Sequence, residues 1–378
     1  MFILFQFIPF VVILSIAYML LKEITFLEVL LGVILTGVIT FAGYKIGSFI
    51  AVQDTEFFSN SIEKIVYYEY WESWVDQTCT RTYDCNCSTD KNGSRSCSTC
   101  TETYDCSYCD QNYPYYSITL NTGKTKIISD SYGREITRKW ENSEQFVDLN
   151  RKIYHSGYCG KDGDAYAYYW DKEEKTAFTF CSEHSYENRI QASENIYRDY
   201  REVDKSRVVD YPKVLKNGKQ KHLIGYNDAN IEQFLQYVNG VYGKDKQLKF
   251  FVHVWNDTVP RSVVENQKAH WLRCNKNEFI LCLFVSGGIV KDIDFITWSE
   301  ENYNQILTYD DIPIEETVKK TWEYLKDNWV RLEFAKFDFI TIRPSNTTFV
   351  ITLIVNIVII SIAMFFFYTN IHEKNTSI

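Results

Sequence analysis

The sequence predicts an α+β protein that membrane-spanning helices flank at both ends. Three observations support this prediction: apolar runs near both termini, a segment of clustered cysteines, and a central region in which strand-like and helix-like patterns alternate. In this interpretation residues 53–211 form a β-rich subdomain with a cysteine-rich insertion at 79–109, and residues 212–346 form a small α/β sandwich. The 378 residues suffice for two ordinary domains and the membrane segments.

The first element is a pair of apolar runs within residues 1–52, at 2–21 and 26–52. About 20 apolar residues in a helix cross a bilayer core of about 30 Å, so each run predicts a transmembrane helix. A cleaved signal peptide is the alternative for the first run, although it lacks a basic start and a small-residue cleavage site. Gly43 and Gly47 would allow a neighbouring helix to pack closely on the second run.

A third apolar run at 347–369 predicts another transmembrane helix, followed by a tail at 370–378. Lysine beside a span favours the cytoplasmic side, and Lys22 and Lys374 follow the first and third runs. The central domain would then lie outside the cytoplasm. The opposite orientation stays open, because Lys64 and other basic residues lie near the membrane on the domain side.

The charge of the chain is concentrated in its central domain. Three lysines and three glutamates lie outside residues 53–346, so the formal net charge of −9 belongs to that region. An acidic domain repels nucleic-acid phosphates and anionic lipid headgroups. We therefore expect the bilayer and an unidentified protein or cell-wall component as partners, and no nucleic acid.

The cysteine-rich insertion holds seven of the 11 cysteines between small polar residues. Such a segment cannot build an apolar core and needs covalent or metal staples to be ordered. We predict disulfides, which fit an oxidising compartment; the odd cysteine then pairs with an outside partner such as Cys159 or Cys181, or stays free. The seven are Cys79, Cys85, Cys87, Cys97, Cys100, Cys106 and Cys109.

Two alternatives to disulfides remain for this insertion, zinc and free thiols in a loop. A zinc ion would use four thiolates in two Cys-x-x-Cys pairs, although the gap between the pairs is short for a zinc ribbon. These four are Cys97, Cys100, Cys106 and Cys109. Without zinc, no cofactor is expected. Cys282, inside an apolar run, is predicted to be a buried thiol.

The β-rich subdomain is predicted from short strand-like segments. Residues 62–75 are dense in Tyr, Trp and Val, and residues 115–129 have the pattern of a hairpin. Residues 165–170 and 176–181 predict a second hairpin across a charged turn, and residues 131–149 have a more helical pattern.

After residue 212 the pattern changes to alternating helices and strands. This order predicts the small α/β sandwich. Helical spacing is found at 230–241, 262–272 and 315–332, and apolar strands are predicted at 248–255, 279–285 and 293–298.

Several short motifs lie along residues 50–343: Asp54-Thr-Glu56, Cys85-Asn-Cys87, Gly93-Ser-Arg-Ser-Cys-Ser-Thr99, Ser185-Tyr-Glu-Asn-Arg189 with Gln191-Ala-Ser193, Asn275-Lys-Asn-Glu-Phe279 and Thr297-Trp-Ser299. As a set they resemble an uncharacterised family of membrane proteins that bacteriophages and some bacteria encode. The resemblance implies a cysteine-containing ectodomain at a bacterial inner membrane or the membrane of a phage host. It implies no established activity.

The order of elements in residues 248–299 is a strand, a helix ending in Trp, a polar turn, an apolar strand and a second strand. This order is similar to that of TPM domains, which are small membrane-tethered α/β modules. The glycine-rich motif that follows the second strand in those domains is absent here. The similarity therefore implies a fold, and no shared ligand or metal site.

A polar turn at Asn275, Lys276, Asn277 and Glu278 is the candidate binding site, because α/β folds hold ligands at strand ends. The alternative, which we favour, is a turn whose Asn side chains satisfy backbone groups while Glu278 caps it or pairs with a cation. Glu278 is also a candidate catalytic carboxylate.

A second polar run contains Glu183 and His184, which could act together in acid–base chemistry. The alternative is that His184 is an ordinary surface residue. His253 lies in an apolar strand and is predicted to be a core histidine.

No nucleophile motif or complete set of metal ligands is evident in the sequence. We therefore expect a membrane-anchored, non-enzymatic envelope protein with an extracytoplasmic interaction domain. The alternative is a membrane-anchored hydrolase or metal-dependent enzyme centred on Glu278 or His184.

Overall fold

The structure is a computed structural model of the chain. It confirms a mixed α+β protein with apolar helices near both termini and a cysteine-rich region between them. The residues that it describes are 2–21, 25–140, 143–146, 159–160, 163–172, 178–190, 205–337, 339–340, 342 and 344–376.

Two of the described apolar helices are long and apolar enough, by length and composition, to cross a membrane. They cover residues 26–52 and 346–366. Only 17% of each apolar window is buried inside the protein, whereas a core helix of a soluble protein would be mostly buried. The apolar helices are α1 (Phe2–Phe5), α2 (Ile8–Leu21), α3 (Phe26–Val52) and α8 (Asn346–Thr376).

The first apolar run differs from the prediction, because it is divided between α1 and α2 at Gln6. The 14 residues of α2 cover about 21 Å, less than a bilayer core of about 30 Å. The Gln6 side chain donates to the Phe349 carbonyl oxygen of α8 at 2.9 Å and accepts from Asn356 Nδ2 at 3.1 Å. Lys22, which supported the predicted orientation, lies outside the described residues.

Glycines bring α3 against α8, as predicted for Gly43 and Gly47. A Cβ added to Gly43 would overlap Thr352, and one added to Gly47 would overlap Thr348. The helices therefore approach more closely than larger side chains would allow.

The helix α3 leads directly into β1 (Gln53–Tyr68), the central strand of a six-stranded sheet. β6 (Tyr115–Leu120) pairs antiparallel with its second half. A short turn then leads to β7 (Thr125–Ile128), which pairs with β6 and confirms the predicted 115–129 hairpin.

The predicted helix over 131–149 is shorter in the structure. α4 (Asp130–Thr137) buries Ile136 against the sheet, but the chain then forms β8 (Ser143–Phe146). This segment pairs with β9 (Ala165–Tyr169), so sheet pairing overrides the local helical pattern.

The predicted hairpin over 165–181 is wrong. β9 pairs with residues 64–68 of β1, and β10 (Thr179–Glu187) pairs with residues 53–61. Both strands therefore run in the same direction along β1, one after the other. A 16-residue central strand has room for both, and a local pattern does not reveal this.

The cysteine-rich insertion is a long hairpin, formed by β3 (Thr78–Thr89) and β4 (Arg95–Asp105). We call residues 78–105 the stapled hairpin. It extends from a short two-stranded sheet of β2 (Trp71–Val75) and β5 (Tyr108–Asn112).

A four-stranded sheet makes up the second half, in the order β11–β12–β13–β14, with β11, β12 and β13 parallel and β14 antiparallel. Eight of the nine residues of β13 are buried, as expected for a strand covered on both faces. The elements are β11 (Leu223–Ile224), α5 (Ala229–Lys246), β12 (Lys249–Asn256), α6 (Ser262–His270), β13 (Glu278–Ser286), β14 (Ile289–Thr297) and α7 (Ile314–Asn328).

Alternation along β12 divides the core between the two faces of this sheet. Phe250 and Val252 pack with residues of α5 and α7, including Leu235. Phe251 and Trp255 pack on the other face with residues of α6. The period of two along the strand produces this division.

Candidate functional site

Several of the predicted polar motifs meet in space just beyond the end of α3. Residues from β1, β10, the turn before β13 and the segment after α7 form one polar cluster beside the end of α3. Its members are Asp54, Glu56, His184, Tyr186, Asn188, Asn275, Lys276, Asn277, Glu278 and Arg331.

Asp54 anchors the part of the cluster that lies nearest α3. Its Oδ2 accepts from the Tyr186 hydroxyl at 2.9 Å and from Asn188 Nδ2 at 2.7 Å. The backbone N–H of Asn188 donates to the carbonyl oxygen of Val52 at 2.7 Å, and Val52 is the last residue of α3. Burial, and after it the Asp54 charge, raises the pKa of Tyr186, so this hydroxyl stays protonated. The contacts therefore join the sheet to the end of α3.

The predicted pair of Glu183 and His184 is not formed. Consecutive residues of a strand point to opposite faces, and both side chains are exposed. The partner of His184 is Glu56, whose fully buried Oε1 lies 2.9 Å from His184 Nδ1 and also accepts from Arg331. Glu56 therefore lies between His184 and Arg331, and its contact with His184 has a structural explanation.

The turn before β13 is held by its own side chains. Glu278 is fully buried. Its carboxyl group accepts from the backbone N–H of Asn275 at 3.0 Å, from the side-chain Nδ2 of Asn275 at 2.9 Å and from the Tyr211 hydroxyl. Asn277 Nδ2 donates to the Phe57 carbonyl oxygen at 3.0 Å, and the Lys276 ammonium lies 4.2 Å from the centre of the Tyr186 ring. These contacts fit an organising turn.

The position of this turn also argues against a ligand site of the usual kind. Glu278 is the first residue of β13, whereas open parallel sheets bind ligands beyond the carboxyl ends of their strands. Burial raises the pKa of Glu278, and its carboxyl group is enclosed by protein donors.

An unusual backbone precedes the turn. Leu272, Arg273 and Cys274 have φ angles of 49°, 65° and 64°, so three consecutive residues other than glycine are left-handed. Such residues cost about 1–2 kcal/mol each and cluster at functional sites. Leu272 and Cys274 line a cleft of about 320 Å³, together with Asp54, Asn188, Tyr211 and His270. Burial raises the pKa of the Cys274 thiol, which makes it a poor nucleophile.

A larger cleft, of about 500 Å³, lies between α4 and α5. We call it the α4–α5 cleft. Its lining includes Tyr132, Glu135, Lys219, Gln220, Glu232 and Gln236. Next to this cleft is a chain of three polar side chains that the sequence did not reveal. Two of them are buried, and the third, Glu232, also lines the cleft. Ser59 Oγ lies 3.3 Å from His222 Nε2, and His222 Nδ1 lies 3.4 Å from Glu232 Oε1.

This order resembles a hydrolase triad, but its surroundings differ. The side chains of Ser59 and His222 are buried, so a substrate has no approach to the hydroxyl group. Glu232 already accepts from the amides of His222 and Leu223. Burial lowers the pKa of His222 and keeps the ring neutral. We interpret the chain as structural.

The predicted disulfides are present in and around the stapled hairpin. Cys79 pairs with Cys106, Cys85 with Cys100, Cys87 with Cys97, and Cys109 with Cys159. The outside partner is therefore Cys159, while Cys181 and Cys282 are free and buried. All four sulfurs of the zinc alternative take part in disulfides, and the described residues contain no group of three potential metal ligands.

The exposed surface of the stapled hairpin is mostly polar, with two exposed aromatic rings at Tyr83 and Tyr104. The only half-buried residues of its two strands are Cys79, Cys85, Cys97 and Cys100. One face carries facing threonines, such as Thr82 beside Thr101, and the other carries an Arg81–Glu102 ion pair of 2.9 Å.

No protein-family model, curated protein or solved structure matches the chain. The resemblances to phage membrane proteins and to TPM domains therefore stay predictions. Function has to be inferred from the geometry.

Proposed function

We propose that the protein is a membrane-anchored, non-enzymatic envelope protein that binds its partner through the stapled hairpin. In this proposal the central domain lies outside the cytoplasm of a bacterium or phage host. α3 and α8 anchor it, and the N-terminal run is a third membrane-embedded helix. The partner is a protein or cell-wall component of the same envelope.

One observation carries the proposal: the stapled hairpin is ordered by covalent bonds and contributes nothing to an apolar core. An isolated two-stranded hairpin is marginal in water, and here three disulfides lie within or across it. A fourth, Cys109–Cys159, fixes its base. Such an element serves through its exposed surface, and disulfides persist in oxidising compartments.

The proposal also divides the central domain into a β-rich subdomain at 53–211 and an α/β sandwich at 212–346. The two are in contact, because Gly240 of α5 lies against Thr179 and Ser61. We infer that they move as one support for the stapled hairpin.

An enzyme centred on Glu278 or His184 has less support. Glu278 is enclosed by Asn275 and Tyr211, and His184 is paired with Glu56. Neither side chain lines the two clefts described above.

The test is to remove the hairpin while keeping its base. Replacing residues 76–107 with Asn-Gly leaves Val75 and Tyr108, which are paired, joined by a two-residue turn. We expect normal membrane insertion and loss of the partners that the tagged wild-type protein recovers from its own membrane. Recovery of the same partners by the shortened protein would refute the proposed role.

Sidedness has its own test. Protease added to spheroplasts should digest the central domain of the intact protein. Digestion only after lysis would show that the orientation is inverted.

A further inference from the structure

Lys249 is a buried lysine at the start of β12. Its side chain is fully buried, and no ion-pair partner lies within 4 Å among the described residues. Its ammonium contacts Gln220 Oε1 and lies 5.7 Å and 5.6 Å from the centres of the Phe57 and Phe251 rings. Within hydrogen-bonding distance the ammonium meets only neutral groups, and the Glu278 carboxyl group on β13 acts on it from farther away, so the buried charge is only partly compensated.

Cys181 lies beside this lysine. Its Sγ is 3.4 Å from Lys249 Nζ, 3.5 Å from Gln220 Oε1 and 3.6 Å from Ser59 Oγ. None of these neighbours is a thiol. If the sulfur is oxidised, the nearest nitrogen nucleophile is the lysine amine, and no disulfide competes at this position.

The α4–α5 cleft offers a route for a small oxidant to within one side chain of the pair, although neither Cys181 nor Lys249 itself lines it. Gln220 lines this cleft and contacts both Cys181 and Lys249. Thr179, two residues before Cys181 on β10, lines it too. The four disulfides elsewhere in the chain fit oxidising surroundings.

We propose that Cys181 and Lys249 are a modification site, at which hydrogen peroxide joins them through a sulfur–oxygen–nitrogen bridge. One peroxide oxidises the thiol: an S–O bond forms, the O–O bond breaks, and water leaves a sulfenic acid. The Lys249 ammonium gives up a proton, and a second peroxide oxidises the resulting amine to a hydroxylamine and also leaves water. The hydroxylamine oxygen then attacks the sulfenic sulfur, whose hydroxyl group leaves as a third water.

The balance is a thiol, an ammonium group and two peroxides giving the bridge, three waters and one released proton. The bridge therefore removes the buried positive charge. It also links β10 of the six-stranded sheet to β12 of the four-stranded sheet. The two halves that support the stapled hairpin thereby become covalently joined.

The experiment uses the full-length protein in detergent, before and after hydrogen peroxide. Remaining thiols are alkylated under denaturing conditions, and proteolytic peptides are weighed. We expect the Cys181 and Lys249 peptides to be joined with a net gain of about 14 Da, one oxygen added and two hydrogens lost. Dithiothreitol should separate them.

Two variants make the result specific. Lys249→Arg keeps the charge and should give no joined peptide, with Cys181 oxidised further to sulfinic acid instead. Cys282→Ser removes a different buried thiol and should leave the joined peptide unchanged. A wild-type protein in which Cys181 stays reduced, or becomes sulfinic acid with Lys249 unmodified, would overturn the proposal. These readouts do not depend on partner binding.

Discussion

The stapled hairpin and β13 are both β-structure, yet different interactions stabilise them. Neither strand of the hairpin contains a fully buried residue, whereas eight of the nine residues of β13 are buried. Disulfides constrain the first, and apolar burial between two helical layers stabilises the second.

This difference means that the two regions should respond to different perturbations. Reduction acts on the hairpin and leaves the buried sheet intact. Changes to buried polar groups and acid act on the sheet and leave the hairpin intact. Each prediction below tests one side of this separation.

The largest effect is expected from removing the disulfides of the hairpin. A bridge that closes a loop of 15 residues, such as Cys85–Cys100, is worth about 3 kcal/mol. Full reduction should therefore unfold residues 78–105. Hydrogen exchange should show their amides losing protection while those of β13 keep it.

Cys282→Ala is the control for this experiment, because it removes a free thiol inside the buried sheet. It should leave the hairpin amides protected. If reduced wild-type protein also keeps them protected, the hairpin has another source of order and the contrast with β13 fails.

The second effect concerns the turn before β13. Asn275→Ala and Asn277→Ala remove the bonds to Glu278 and to the Phe57 carbonyl oxygen, leaving buried groups unpaired. Each should lower the free energy of unfolding by about 1–3 kcal/mol in denaturant titrations. Glu278→Gln keeps the shape of the side chain and should cost less.

Lys276→Ala is the matched control in the same turn, since it removes a contact with the Tyr186 ring, keeps both asparagine hydrogen bonds and should cost less than either asparagine variant. The informative contradiction comes from Glu278→Gln. If that variant melts normally but loses the biological phenotype, the carboxylate has a functional role and the organising turn is not a sufficient explanation.

The parts of the fold that the sequence predicted are those with strong local patterns. Ile231, Leu235 and Val238 recur at helical spacing and lie on the buried side of α5. The apolar run 279–285 became β13. The excess of cysteines over apolar residues indicated disulfides because a core was impossible there.

The parts that were missed depend on contacts between distant residues. The pairing of β9 and β10 with the same strand follows from the length of β1. The partner of Cys109 is Cys159, 50 residues away, and only the three-dimensional arrangement selects it over Cys181. Lys249 and Cys181 are 68 residues apart and share no local signal.

The smallest effect that we predict concerns acid and the buried sheet. His253 in β12 lies 3.6 Å, centre to centre, from the Trp255 ring, and its Nδ1 has no hydrogen-bond partner among the described residues. Burial lowers its pKa to about 3, whereas an unfolded histidine has a pKa of about 6.5.

Below pH 6.5 the unfolded chain therefore binds a proton at His253 that the folded protein does not, and the free energy of unfolding falls with the pH. For this residue the loss is about 1.4 kcal/mol per pH unit, or about 2 kcal/mol between pH 7.5 and 5.

His253→Phe keeps an aromatic ring against Trp255 and should remove this loss. His222, whose pKa burial also lowers, and Glu278 contribute equally to both proteins, so the difference in slope isolates His253. Leu281→Ala should give a curve lower than that of the wild type but parallel to it. Identical slopes for His253→Phe and wild type would mean that His253 is protonated in the folded sheet, which its apolar surroundings should not allow.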